Sequence, residues 1–112
     1  MQMLIFVLNN VDLLDDVLAH LSASGIRGAT IISSTGMAHQ LAQLEDDFFF
    51  GNIRKFLAND REESKTIFMV LPQEHVQVAR NAIVDVVGDL TKPNTGILFS
   101  IPTLFVEGIL EP

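Results

Sequence analysis

The order of apolar patterns predicts an α+β protein, a ferredoxin-like βαββαβ sandwich with two helices on one face of an antiparallel sheet and a long loop between strands two and three. Three observations lead there. Apolar runs of strand length at Met3–Leu8, Arg27–Thr35, Thr66–Leu71 and Ile97–Ile101 alternate with segments whose apolar residues recur at helical spacing. Each helical segment stops at a glycine, Gly25 or Gly88. Between Gly36 and Lys65 the chain leaves the sheet for a stretch that no simple hairpin requires.

Met3–Leu8 is a continuous apolar run closed by Asn9-Asn10, as a strand buried on both faces reads. Asn10 is placed to cap a helix carrying Val11, Leu14, Val17, Leu18 and Leu21 on one face, with Asp12, Asp15 and Asp16 near its positive end. The second strand, from about Arg27, contains the β-branched run Thr30-Ile31-Ile32 and ends at Gly36. Pro72 directly follows the third strand and reads as the first residue of a helix with Val76, Ala79, Ile83 and Val87 on one face. After Pro102, the piece Phe105–Ile109 reads as an added edge strand. Nothing divides the chain, so residues 1–112 form one domain, with an excursion over 36–65 and a shorter connection over 88–96.

A chain of 112 residues buries roughly 60–70% of its unfolded surface, enough for a core without staples. The absence of cysteine excludes a disulfide framework, a thiolate nucleophile and a zinc ribbon, and fits a cytoplasmic location. The apolar runs fall well short of the roughly 20 residues of a spanning helix, so direct membrane insertion is not expected. The opening MQMLIFVLNN lacks the basic region and cleavage site of a signal peptide and reads as mature structure. A net charge of −7 repels phosphate backbones and argues against nucleic acid as a partner.

Both faces of the strands are apolar. Ile5, Val7, Ile31, Phe68, Val70 and Leu98, together with Leu4, Phe6, Ile32, Ile67, Met69, Leu71, Ile97 and Phe99, cannot all face two helices. Two covers are available: further copies of the chain, which is the economical answer, or the 36–65 segment folded back over the sheet.

The strings LDDV (Leu14–Val17), GIRGATI (Gly25–Ile31), Thr35-Gly36 with Gln40 four residues on, the long excursion and GILFSIP (Gly96–Pro102) resemble, in order and spacing, the PII signal-transduction family of nitrogen regulatory proteins. The likeness spans almost the whole chain and marks it as a divergent member. It implies a homotrimer whose sheets line a central core, with effector clefts between subunits. It also implies a regulator, not an enzyme, whose long T-loop docks on a target such as a transporter or metabolic enzyme.

By that resemblance Gly28, Ala29 and Thr30 match an adenine-contacting strand, with Ala29 where methionine is usual. Gly36 and Gln40 open the T-loop, Gln40 as a contact to phosphate or to 2-oxoglutarate through a metal ion, and Met37 replaces an aromatic residue. Gly88 to Phe99 corresponds to the phosphate-binding B-loop and retains Gly96 and Phe99. Ile97 stands where that loop has a lysine, and Gly108 and Leu110 fall near two arginines of the family. The T-loop tyrosine is absent, because the chain has no tyrosine. With Lys92 the nearby cation in sequence, the expected effector carries few phosphates: AMP, ADP or a cyclic nucleotide in preference to ATP.

The remaining constellations assign no catalytic residue and no metal site. His20, His39 and His75 are too scattered for ligand spacing. His39-Gln40 followed by Glu45-Asp46-Asp47 reads either as a loop cation position or as a solvated charge run. Asp15 and Asp16 are explained by the helix dipole, and no nucleophile elbow, P-loop or G-x-G-x-x-G occurs. In DFFFGNIRKFL, Phe48, Phe49, Phe50 and Phe56 either pack a short helix onto the assembly or form a hydrophobic anchor for a partner, with Gly51 bending the chain. The rival to a signalling role is a trimeric divalent-cation-binding protein of the same general fold, as in the divalent-cation tolerance proteins. A small ferredoxin-like enzyme has only fold analogy behind it.

Overall fold

The structure, a computed structural model, describes residues 1–42 and 63–109. Strand β1 (Gln2–Leu8) leads through a 3-10 turn (Val11–Leu13) into helix α1 (Leu14–Ala23). Strand β2 (Thr30–Ser34), the short helix α2 (Met37–Ala42), strand β3 (Ser64–Leu71), helix α3 (Gln73–Val87) and strand β4 (Gly96–Pro102) follow. The four strands form one antiparallel sheet in the order β2-β3-β1-β4. This is the predicted α+β class, and the order is compatible with the ferredoxin-like arrangement.

The register divides the side chains between two faces. Leu4, Phe6 and Leu8 pair in register with Met69, Ile67 and Lys65 of β3. Leu4, Phe6, Leu8, Ile67, Met69 and Leu71 are buried against Val17 and Leu21 of α1, Ile26, and Ala79, Ala82 and Ile83 of α3. Each large side chain so enclosed contributes about 1.5–3 kcal/mol. The opposite face carries Met3, Ile5 and Val7, flanked in register by Val70, Phe68 and Thr66 on one side and by Ile101, Phe99 and Ile97 on the other. Its outer strands remain open: Ile97 is 63% exposed, Phe99 45%, Ile101 44% and Ile32 on β2 48%.

Four boundaries differ from the sequence expectation. The pairing of β2 begins at Thr30, not Arg27, because α1 ends in a double-bonded turn: Gly25 N–H donates to Ser22 O (3.0 Å) and Ile26 N–H to Leu21 O (2.9 Å). Gly25 adopts φ +92°, and Ile26 is drawn into the core, so the chain reaches the sheet late. Asn10 caps the 3-10 turn, its Oδ1 accepting from Asp12 N–H at 3.2 Å, and the α-helix proper starts at Leu14. Pro72 stands immediately before α3, at φ −56° and ψ 149°, as its cap. Phe105–Ile109 is not a strand: beyond β4, Thr103 N–H and Oγ1 donate to Met1 O, just ahead of β1, at 3.3 and 3.0 Å, and Gly108 then turns the chain at φ +87°.

Helix α2 opens the long excursion, with Gln40 N–H donating to Gly36 O at 3.0 Å. The question of whether 36–65 folds back over the sheet falls largely on residues outside those described. Among the described residues no helix is long and apolar enough to cross a membrane.

Candidate functional site

The late start of β2 opens a groove. Thr30 pairs with Phe68, so Met69, Val70 and Leu71 have β1 on one side and no β2 partner on the other. Residues 25–29 lie off the sheet there, and the space between them and the end of β3 is a groove of about 480 Å³. Gly28, Ala29, Thr30, Phe68, Val70, Pro72 and His75 are among the residues that line it. The volume lies within the ~300–1,000 Å³ of small-molecule sites. A second hollow of about 500 Å³ lies toward α1, lined by Leu18, Leu21 and Ile31, and shares Ile26, Arg27 and Ala29 with the first.

Electrostatically the groove is unlike the rest of the molecule. The chain carries −7, yet among the described residues the charged or chargeable side chains lining the groove are Arg27 and His75, with no carboxylate. The other described cations are partly engaged. Lys65 Nζ donates to Ser33 Oγ at 2.7 Å and lies 3.4 Å from Glu63, while Arg80 donates to Gln77 at 3.2 Å.

The remaining sequence-derived candidates lie elsewhere. Gly36, Met37 and Gln40 sit past the opposite end of β2, where α2 begins, and Met37 is exposed. Gly88 closes α3 at φ +80°, its N–H donating to Val84 O at 2.8 Å. The loop after it is tied internally: Asp89 Oδ1 accepts from Thr91 N–H (2.9 Å) and Thr91 Oγ1 (2.6 Å), and Thr95 Oγ1 donates to Lys92 O (2.7 Å). The two bonds from Thr91, the side-chain one first, hold the Asp89 carboxyl below its usual range.

Gly96 opens β4 at φ +147°, where a Cβ would meet the Val7 carbonyl oxygen and come within 2.7 Å of Phe6 Cε1. Packing alone therefore demands glycine at position 96. At Gly28 and Gly36 a Cβ would meet nothing within 4 Å, so the fold makes no such demand there.

Within one chain the candidates fall into three places: Gly28, Ala29 and Thr30 in the groove, Gly36, Met37 and Gln40 past the far end of the same edge strand, and Gly88 and Gly96 toward the β4 edge. The two edges are roughly 14 Å apart at the usual strand spacing. Phe48, Phe49 and Phe50 lie outside the described residues, as do Glu45, Asp46, Asp47 and Leu110. Ile97 points from the open face of β4. His20 Nδ1 lies 3.0 Å from the Asp16 carbonyl oxygen of its own helix, and no group of three or more metal-ligating side chains comes together among the described residues.

Two features escaped the sequence reading. Arg27 and His75 join the groove only through the Thr30–Phe68 register, a pairing that no local pattern announces. At the opposite end of β2, Ser34 Oγ lies 2.8 Å from both Ser64 Oγ and Thr66 Oγ1, a hydroxyl cluster that clasps the base of the excursion. No family model matches the chain, and no curated protein matches it either.

Proposed function

We propose that the chain is a non-enzymatic, PII-like regulator that assembles as a homotrimer, senses a small effector in clefts between subunits, and acts on a target protein through the 36–65 loop. The observation that carries this reading is the arrangement of the sheet. Its face opposite the helices is apolar and open, while Gly36 with Gln40 and Gly88 with Gly96 lie toward opposite edges. Residues so separated meet between copies of the chain, and an open apolar face is what such copies would bury.

The effector best matched is an adenine nucleotide with few phosphates, AMP or ADP before ATP. Triphosphate recognition calls for clustered cations or backbone N–H groups. Ile97 and Gly108 offer no charge at the positions where the resemblance calls for it. Each missing charge-assisted bond forgoes about 1.5–3 kcal/mol. Nitrogen status as the signal, a transporter or metabolic enzyme as the target, and a cytoplasmic setting belong to the same proposal and rest on the resemblance.

The test joins light scattering with calorimetry. The expected results are a trimer at micromolar concentration and nucleotide binding no tighter for ATP than for AMP or ADP. A monomer overturns the assembly, and micromolar ATP binding with clear preference over AMP overturns the effector. Replacing Phe49 and Phe50 together with Ser is expected to leave assembly intact and abolish target capture; loss of folding instead would assign them to packing.

A further inference from the structure

We propose that the groove between residues 25–30 and the end of β3 is the part of the effector site that one chain supplies, taking a small planar ring that bears a single anionic group, with Arg27 and His75 holding the anion. The inference rests on the effector reading above and goes beyond it in placing the charge recognition on Arg27 and His75, away from the 88–96 connection.

Three features of the groove select this chemistry. Its apolar lining of Ala29, Phe68, Val70 and Pro72 suits the faces of a flat ring. Residues 69–71 leave a strand edge unpaired by β2. In an antiparallel ladder every second residue turns both its N–H and its C=O to the same side. A ring with a donor and an acceptor on one edge can therefore bond there as a neighbouring strand would. With only these residues free and about 480 Å³ available, the space suits a ring-sized molecule better than an added peptide strand.

The third feature is charge. An anion approaching a chain of −7 meets long-range repulsion, so recognition has to come from local cations. Arg27 is exposed and His75 half-buried, both line this groove, and neither side chain has a hydrogen-bond or ion-pair partner among the described residues. Among the described residues no Asp or Glu lines the groove to neutralise them. Lys92 belongs to the connection before β4, on the far side of the sheet, and does not line the groove.

Calorimetry with AMP and with adenosine, which share a ring and differ in the anion, tests the assignment on the full chain. The expected result is tighter binding of AMP than of adenosine. Arg27→Gln and His75→Gln should each weaken AMP roughly tenfold or more while leaving adenosine unchanged, the scale of a charge-assisted bond. Lys92→Gln should change neither, and all variants should melt with the wild type. AMP affinity unaltered in Arg27→Gln and His75→Gln, or lost in Lys92→Gln, overturns the proposal and leaves the effector reading standing. Equal loss of adenosine and AMP in the groove variants also overturns it, since those side chains would then shape the ring pocket. Failure of folded wild type to bind either compound defeats the effector reading and this proposal together.

Discussion

Replacing Gly96 by alanine isolates a steric demand that the fold makes on one residue. Gly96 lies at φ +147°, a region costly to any residue with a Cβ, and the new methyl would be driven against the Val7 carbonyl oxygen, 2.7 Å from Phe6 Cε1 and 3.2 Å from Phe6 Cζ. Neither neighbour can withdraw easily. Val7 pairs with Ile97 in the β1–β4 ladder, and Phe6 is fully buried at the centre of the core. Backbone strain of about 1–3 kcal/mol and overpacking of about 1–3 kcal/mol together predict a loss of roughly 2–6 kcal/mol. Against a typical stability of about 5–15 kcal/mol that is a large fraction.

Gly88→Ala supplies the control. Its φ is +80°, but a Cβ there would meet nothing within 4 Å, so it should lose only the strain, about 1 kcal/mol. Urea denaturation of wild type and both variants, at one protomer concentration because assembly would add to apparent stability, reads the difference. A Gly96→Ala variant no less stable than Gly88→Ala would refute the close approach of β4 to Phe6 and Val7, and with it the register of that ladder.

Ser34→Ala removes the shared hydroxyl between Ser64 and Thr66 and is expected to cost about 1 kcal/mol in urea denaturation, since Ser64 Oγ still donates to Ser34 O at 3.2 Å; no loss would argue that the cluster does not clasp the excursion. The carboxyl of Asp89 is lowered in the native state, so its contribution is present above the unfolded value of about 3.9 and is lost as pH falls through the lowered native one. Any stability gap between wild type and Asp89→Asn at neutral pH should therefore close in that acid window, and an NMR titration should give Asp89 a midpoint below ordinary aspartate. In the proposed homotrimer, Phe99→Asp on the open face should abolish assembly in light scattering without loss of secondary structure, and Phe105→Ser should weaken it in a concentration-dependent way.

The sheet and its two long helices were legible because each is a local pattern with a local stop. Met3–Leu8 is apolar at every position, and Gly25 and Gly88 take the positive φ that helix ends favour. The segment Arg27–Ala29 was misread because its composition suits a strand, whereas the path of the chain there is set by Ile26 just before it, held by a backbone bond back to Leu21 and a place in the core. Helix α2, at six residues, is too short for its period to register. The groove exists because two strands of different length are paired from Thr30 and Phe68 downward, so sequence pointed to Gly28, Ala29 and Thr30 but not to Arg27 or His75 opposite.

The same register bears on what covers the sheet. Alternation sends Leu4, Phe6 and Leu8 to the helices and leaves Met3, Ile5 and Val7 on the other face, already half-buried by their β3 and β4 neighbours. The apolar surface still to be removed from water therefore lies toward the sheet's edges, on Ile32 at one side and on Ile97, Phe99 and Ile101 at the other. Side chains that are about half exposed yield about 1 kcal/mol apiece on burial. Association costs about 4–15 kcal/mol, so these edge residues alone support only weak assembly. Leu104 and Phe105, which follow β4 and are exposed, extend the apolar surface beyond Ile101 and would supply the missing share in the proposed homotrimer. In that assembly Phe99→Asp, which sets a charge in the middle of β4, should act all-or-none, and Phe105→Ser, which removes only apolar area, should act by degrees.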